Sequence, residues 1–290
     1  MLQGLLVVNA FLKTLKFDGI YQALLTAAQA CEIDISVMTN ADIALKIDSP
    51  EFRSELPDFV LFWDKDVKIA RLLEQLGLPV FNASESILNC DDKSLTYLTL
   101  RHAGVDTPET ILMPQTFPSV GYPHTEFLDE AVRKLGFPLI LKECFGSFGK
   151  QVYLINDIES LRKKVVALGA TPMLLQEMAK NSFGRDLRIN VVGGQIVASI
   201  FRHNESGDFR SNITLSGSMD PYTPTDQEAQ LALKAVEVLG LTFAGVDVLF
   251  GDSGPLICEV NSNAHFKSTL TCTGVNMADA IFQYILKRIG

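Results

Sequence analysis

The sequence predicts a mixed α/β and α+β fold, a small parallel α/β layer followed by a half built on hairpins. Three observations carry this. Residues 1 to about 82 alternate short apolar strands with helices. A glycine loop, Cys144-Phe145-Gly146-Ser147-Phe148-Gly149-Lys150, joins two strands in the middle of the chain. Near the end, two turns, Gly193-Gly194 and residues 251–255, each join a pair of strand-like runs.

The last hairpin organises the rest. Gly245 to Phe250 and Leu256 to Asn261 flank a turn of Gly251, Asp252, Ser253, Gly254 and Pro255. Symmetric pairing sets Asp247 opposite Glu259 and Asn261 across from Gly245, on one polar face. The other face is expected to be core: Val246, Val248, Phe250, Leu256, Cys258 and Val260. Two carboxylates directly across a ladder repel each other, so a cation is expected between them. Three hard oxygen donors suit Mg²⁺, which completes its shell with phosphates and water. The plainer alternative is a hairpin with a polar outer face.

Composition bounds the function. The 290 residues are 47% hydrophobic and 20% charged, as in a globular protein with a substantial core. A net charge of −9 argues against a general nucleic-acid binder. The five cysteines are scattered and form no CxxC pair, which fits a reducing cytoplasm and neither a disulfide framework nor a zinc site. The opening Met1 to Asn9 reads as a first strand rather than a signal peptide, and no stretch is long enough to span a membrane.

Taken in order, strands are expected at Leu5–Asn9, Ile33–Met38, Asp58–Trp63 and Leu78–Asn82, with helices over Tyr21–Gln29 and Val67–Leu76. No GxGxxG follows the first strand, so a dinucleotide site there is not expected. A short helix at Ser84–Asn89 and a longer one opened by Asp91-Asp92-Lys93 form a seam. Lys93 opposes the helix dipole there. It is either an ordinary solvated lysine or one aimed at a phosphate in an adjoining cleft. An extended segment at Thr107–Met113 and a proline-containing loop lead to a helix at Phe127–Leu135, stopped by Gly136. The strand Phe137–Glu143 then runs into the glycine loop, whose backbone amides and Ser147 hydroxyl can turn toward an anion that Lys142 also reaches. No GK[ST] opens a helix, so this is not a Walker motif. The return strand is Gln151–Ile155, and a helix over Asp157–Leu168 is capped by Asn156 or Asp157.

The last third holds a strand at Met173–Met178 and a hairpin of Asp186–Val192 with Gln195–Arg202. In that hairpin Asp186, Arg188 and Asn190 share a polar face. A helix at Thr225–Leu239 turns Ala229, Leu233, Val236 and Leu239 inward. Gly274–Ile289 closes the chain as a helix with Met277, Ile281 and Ile285 toward the core.

This order of residues resembles the ATP-grasp superfamily, and its RimK-type glutamate ligase branch in particular. The likeness is carried by Lys93, Lys142 before the glycine loop, Gln176-Glu177-Met178, Asp186-Leu187-Arg188, Asp208-Phe209-Arg210-Ser211-Asn212, Gly245-Val246-Asp247 and Glu259-Val260-Asn261. It runs over essentially the whole chain. It implies an α/β unit at 1–90, a central subdomain at 91–175 with the glycine lid, and a C-terminal subdomain at 176–290, with the nucleotide between two antiparallel sheets. It further implies ATP with two Mg²⁺, or Mn²⁺ in their place. Lys93 and Lys142 would contact phosphates, with Gly146, Ser147 and Gly149 as the lid. Gln176, Glu177 and Met178 would form the adenine hinge, and Asp186 would hold the ribose. Arg188, Arg202 and Arg210 would steady the transferred phosphoryl, with Ser211 and Asn212 lining the same site. Asp247, Glu259 and Asn261 would bind the metal.

The implied chemistry is formation of an acylphosphate from a carboxylate, then attack by an amine to give an amide. The partners would be a small-molecule, peptide or protein-tail carboxylate and an amino acid such as glutamate, with no nucleic acid and no membrane. The branch is often oligomeric. A dedicated peptide-bond ligase of cofactor or natural-product biosynthesis, and a non-catalytic nucleotide-binding regulatory module, are the alternatives. The chain departs from the branch after Asn261: Asn263-Ala264-His265-Phe266-Lys267 stands where a proline and glycine are usual. Asn263, His265 and Lys267 would lie near the acceptor amine. His265 reads equally as a solvated or capping histidine, and Lys267 as a surface lysine. Phe148 in the lid would shield the site from water.

Overall fold

The computed structural model describes residues 1–290 except Lys13, Ser147, Phe148, Glu205 and residues 212–216. The side chains of Leu15 and Lys16 are likewise not described. The expected roles of Ser147, Phe148 and Asn212 therefore lie outside the described residues.

The first unit contains β1 (Gln3–Val8), α1 (Leu15–Ala30), β2 (Asp34–Thr39), α2 (Asn40–Lys46), α3 (Pro50–Ser54), β3 (Phe59–Phe62), α4 (Val67–Gln75) and β4 (Val80–Phe81). Its four strands form a parallel sheet in the order β2-β1-β3-β4. Every residue of β3 is buried, as expected of a strand covered on both faces. Helices α2 and α3 were not expected. Both are short, and their signals are local caps: Thr39 and Asp42 form a capping box, and Ser49 caps α3 ahead of Pro50.

The chain continues through α5 (Ser84–Asp91), α6 (Lys93–His102), β5 (Thr110–Leu112), α7 (Phe127–Leu135), β6 (Leu139–Glu143), β7 (Val152–Ile155), α8 (Ile158–Leu168) and β8 (Met173–Glu177). These strands form an antiparallel sheet, β5-β8-β6-β7. The last part is β9 (Arg185–Val192), β10 (Gln195–His203), β11 (Ser218–Pro221), α9 (Asp226–Val238), β12 (Phe243–Phe250), β13 (Pro255–Asn261), α10 (Lys267–Thr273) and α11 (Met277–Ile289). Its antiparallel sheet has the order β11-β10-β9-β12-β13. Gly193 and Gly194 both take positive φ, as the tight turn between β9 and β10 requires.

Three expectations need correction. Asp247 does face Glu259, and Gly245 faces Asn261, but the register slips beyond that point, so that Val248 pairs with Ile257. One extra residue, Cys258, bulges out of the ladder and reverses the alternation after it. Ile257 is fully buried with Val246, Val248 and Val260, whereas Cys258 and Leu256 are only half-buried. On α9 the buried stripe is Ala232, Ala235 and Val236, with Leu239 just beyond; Ala229 and Leu233 are half-buried. Gly274 does not open the last helix. It ends α10 in a left-handed conformation, and Asn276 caps α11.

The first and last sheets are locked together by Asn82, which is fully buried. Its amide nitrogen donates to the carbonyls of Phe243 and Ser262, both at 2.9 Å. Its oxygen accepts from the backbone N–H groups of Thr242 at 2.7 Å and Phe243 at 3.2 Å. Trp63 stacks on Phe243 across the same junction, with ring centroids 5.3 Å apart. Helix α6 packs through Leu100 into the core under the last sheet, and α11 packs through Ile281 and Phe282 into the core shared with α1.

Asn82→Ala removes one partner from four buried backbone groups. Each unpaired group costs about 1–3 kcal/mol, moderated by relaxation and water entry. Urea denaturation should therefore show a loss of about 2–4 kcal/mol. A change below about 0.5 kcal/mol would mean that the junction is held by its aromatic contacts instead.

Candidate functional site

A single cavity of about 690 Å³ runs between the two antiparallel sheets and reaches the first unit. The middle sheet contributes Ile140, Lys142, Val152 and Gln176. The last sheet contributes Asp186, Arg188, Arg202, Asp247, Glu259 and Asn261. These six share one face because residues two apart on a strand point the same way. Between them on β9, Leu187 and Ile189 are fully buried on the opposite face.

Charge on this face is paired across the ladder. Asp247 is the register partner of Arg188, and Asp186 that of Arg202. Arg188 grips Asp247 with Nε on one oxygen and Nη2 on the other, the latter at 2.8 Å. Arg202 grips Asp186 in the same forked way, at 2.7 and 2.5 Å. Arg202 also reaches Asp247, with Nη2 2.9 Å from Oδ1. Burial works to raise the pKa of Asp247, but the two guanidinium groups outweigh it and hold the carboxyl below its usual value. Asp186 is raised, because burial and the negative charge of Asp247 together exceed the help of one arginine. Gly245 makes this packing possible: a Cβ there would lie 2.6 Å from the Ala264 methyl and 3.2 Å from Arg188.

The second hairpin carboxylate has its own cation. Lys93 Nζ lies 3.3 Å from Glu259 Oε1 and donates to the carbonyl of Gly146 at 3.3 Å. Lys93 is buried at the start of α6. It is not the solvated lysine that its position on the helix allowed. Two carboxylates thus face each other across β12 and β13 because protein cations flank each of them.

Lys142 is buried. Its ammonium donates to the Tyr97 hydroxyl at 3.1 Å and lies 3.8 Å from Cys258 Sγ. The Tyr97 hydroxyl in turn donates to the Cys258 carbonyl at 2.5 Å. Burial drives the Cys258 thiol up to about 11, against the pull of Lys142, so the thiol is protonated at neutral pH. Gln176 donates to Thr110 at 2.9 Å and accepts from Tyr97 at 3.3 Å, which fixes the strand end before Glu177 and Met178. Both of those residues line the cavity. Arg210 pairs with Asp208 and donates to the Gly149 carbonyl at 2.7 Å, joining the 208–211 loop to the glycine loop. Ser211 is buried, lines the cavity and hydrogen-bonds Asp186.

All the described site residues expected from sequence line this cavity except Gly146, which meets it through Lys93. Asn263, His265 and Lys267 line it where it meets the first unit. There Phe17 meets His265 edge-on, with ring centroids 5.9 Å apart. Lys267 leans over α1, where a Cβ on Gly19 would come within 3.1 Å of its ammonium. Sequence reasoning missed Trp63, Asp64 and Lys65, which follow β3, and also Cys258 and Arg185. Cys258 is hidden by its bulge. Asp64 carries a readable signal, the first charge after the carboxyl end of a buried parallel strand.

The model of the RimK-like ATP-grasp domain matches residues 90–285. The uncharacterized protein MG012 homolog of Mycoplasma pneumoniae is 33% identical over 259 residues, covering 87% of this chain and 88% of that one. Human N-acetylaspartylglutamate synthase A is 34% identical over 226 residues, covering 77% of this chain but 56% of the synthase, so the chain spans just over half of its length. The crystal structure of D-alanine–D-alanine ligase from Bacillus anthracis complexed with ATP superposes with a TM-score of 0.77 at 17% identity, over 100% of this chain and 99% of that one. At that identity the likeness is one of fold. The family model covers most of the chain and the relatives align along it: the chain belongs to the RimK-like ATP-grasp ligases.

Proposed function

We propose that this ATP-grasp ligase binds Mg-ATP between its two antiparallel sheets and joins a carboxylate to the amine of an amino acid, with glutamate the first candidate. The observation that carries the reading is the set of groups gathered on one cavity: paired arginines and carboxylates of the last sheet, Lys93 from α6 and Lys142 from the middle sheet, with Asp64, Asn263 and Lys267 against the first unit. Residues from each of the proposed units, 1–90, 91–175 and 176–290, line it. Human N-acetylaspartylglutamate synthase A, by its name, makes a glutamate-containing amide, and this motivates glutamate as the amine.

Glu177 and Met178 would hold adenine, and Asp186 with Ser211 the ribose. Lys93, Lys142 and the glycine loop, from Gly146 to Gly149, would neutralise phosphate. Arg188, Arg202 and Arg210 supply forked donors matched to a phosphoryl group in transfer. Their pairing with Asp247, Asp186 and Asp208 keeps them oriented before the nucleotide arrives, so little ordering remains at the moment of reaction. The Asp247, Glu259 and Asn261 side chains would supply oxygen ligands of the kind a hard divalent cation takes, from one face of one hairpin, with the cation displacing part of the hold that Arg188, Arg202 and Lys93 have on the two carboxylates. Mg²⁺ suits that set, and Mn²⁺ is the natural substitute. When bound, it would offset phosphate charge. The reaction needs placement and charge neutralisation rather than a protein nucleophile. A carboxylate oxygen of the substrate attacks the terminal phosphorus and ADP leaves. The amine then attacks the acyl carbon and phosphate leaves.

ADP release measured with a panel of carboxylates and amino acids tests the activity. Release that requires both partners supports it; tight nucleotide binding with no release for any pair would sink it. Glu259→Gln should lower kcat about 10²–10³-fold, the scale expected for losing one preorganised charge contact. Its thermal midpoint should fall far less than its turnover, because the glutamine carbonyl can still accept from the Lys93 ammonium. Unchanged turnover would remove Glu259 from the metal set. Lys267→Met should raise KM for some amino acids more than others, while a fluorescent ATP analogue binds as before. An equal loss for every amino acid would count against an acceptor role.

A further inference from the structure

We infer that Asp64 is the group that receives the ammonium of the amine substrate, making the crevice between β1 and β3 the acceptor subsite. This rests on the ligase reading above and names a residue outside its nucleotide machinery.

The topology sets the place. In the order β2-β1-β3-β4, the connections from β1 and β3 leave toward opposite sides of the sheet. That divergence opens a crevice at the carboxyl ends of the two strands, where open parallel sheets bind ligands. Asn9 follows β1 and Asp64 follows β3, so the two side chains meet at that crevice. The Asn9 amide donates to both Asp64 oxygens, at 3.0 and 3.3 Å, and so orients the carboxylate. The same carboxylate belongs to the cavity wall.

Its electrostatics leave room for a cation. Asp64 is 6% exposed, a position where an ionised carboxylate is costly without a partner. Among the described residues none gives it a salt bridge. The adjacent Lys65 gives Asp64 a backbone hydrogen bond but places its ammonium on Asp91, at 2.6 Å. Asp66 and Asp91 add negative charge nearby. Burial raises the Asp64 pKa despite the Asn9 hydrogen bond, as expected of a carboxyl lacking its counter-charge. The bound ammonium of an amino acid would supply that charge. Two further buried groups nearby have no hydrogen-bond partner among the described residues: the Tyr21 hydroxyl, close enough to feel the Asp64 charge, and Asn263 Oδ1.

The crevice is also joined to the last unit. The Asn263 amide donates to the Asp64 backbone carbonyl at 2.6 Å. This tie holds the 263–267 segment beside the crevice and puts the Lys267 ammonium on the same cavity as the Asp64 carboxylate. An anion at one place and a cation at another match the two charges of a free α-amino acid, ammonium to Asp64 and carboxylate to Lys267. Trp63, Phe17 and Ile20 also line this cavity, and such apolar walls limit water around an amine that must lose a proton before it attacks.

The test measures binding and turnover separately. Each of the twenty amino acids, and its N-acetyl derivative, is titrated by calorimetry into the full-length protein with Mg²⁺ and a non-hydrolysable ATP analogue. Wild type should bind at least one free amino acid and bind its N-acetyl form at least tenfold more weakly. Asp64→Asn should remove that preference while binding the ATP analogue within twofold of wild type. Asn9→Ala, which loosens the carboxylate without removing it, should reduce the preference in part and serves if Asp64→Asn does not fold. Equal binding of free and acetylated forms to wild type, no binding of any amino acid, or a preference kept in both variants each overturns the proposal. In turnover, an amine KM unchanged in Asp64→Asn also overturns it and leaves the ligase reading standing. Selective amino-acid binding lost in the variant, with no ADP release for wild type, would support the subsite and overturn the ligase reading.

Discussion

The cavity depends on one row of charges across the last sheet. Asp186 and Arg188 on β9 face Arg202 on β10 and Asp247 on β12, and Arg202 crosses over to Asp247 as well. Every member is at most 13% exposed. A buried ion is costly by itself, and removing one partner from such a pair costs about 3–5 kcal/mol. The row is therefore an arrangement that must be complete. The cross-strand register of an ordinary antiparallel ladder is what builds it.

The same logic extends outward. Glu259 stands beside Asp247 and has Lys93 from α6, so the helix that follows the first unit is tied to the hairpin by charge. Lys93 also touches the glycine loop, and Arg210 touches that loop from the other side. The carbonyls of Gly146 and Gly149 are thus each held by a cation. At the far end, Asn82 and Asn263 carry backbone hydrogen bonds between the first and last units. They fix the first unit against the last sheet.

Much of the site was legible because strands obey a period of two. Asp186, Arg188 and Asn190 against Leu187, Ile189 and Val191 could be sorted by inspection, and so could Asp247 opposite Glu259. Legibility stopped where a single residue broke the period. The Cys258 bulge sent Ile257 to the core and left Cys258 beside Lys142, the reverse of simple alternation. It stopped again where stripe and pattern differ by one position, as on α9, whose core side is chosen by the sheet that it covers. Helices α2 and α3 escaped because one or two turns do not show a period.

The sequence alone determined the alternation of strands and helices in the first unit and the polar face of β9, which follow from local steric rules. The set of lysines, arginines and acids that belong together was legible through the resemblance to a family. Tertiary structure alone decided which cation serves which acid, which way Cys258 points, and that Asp64 joins a cavity whose other walls lie far along the chain. Asn263 meets the Asp64 backbone across 199 residues. No local pattern encodes a contact of that span, because it exists only after three sheets have packed and their buried polar groups have found partners.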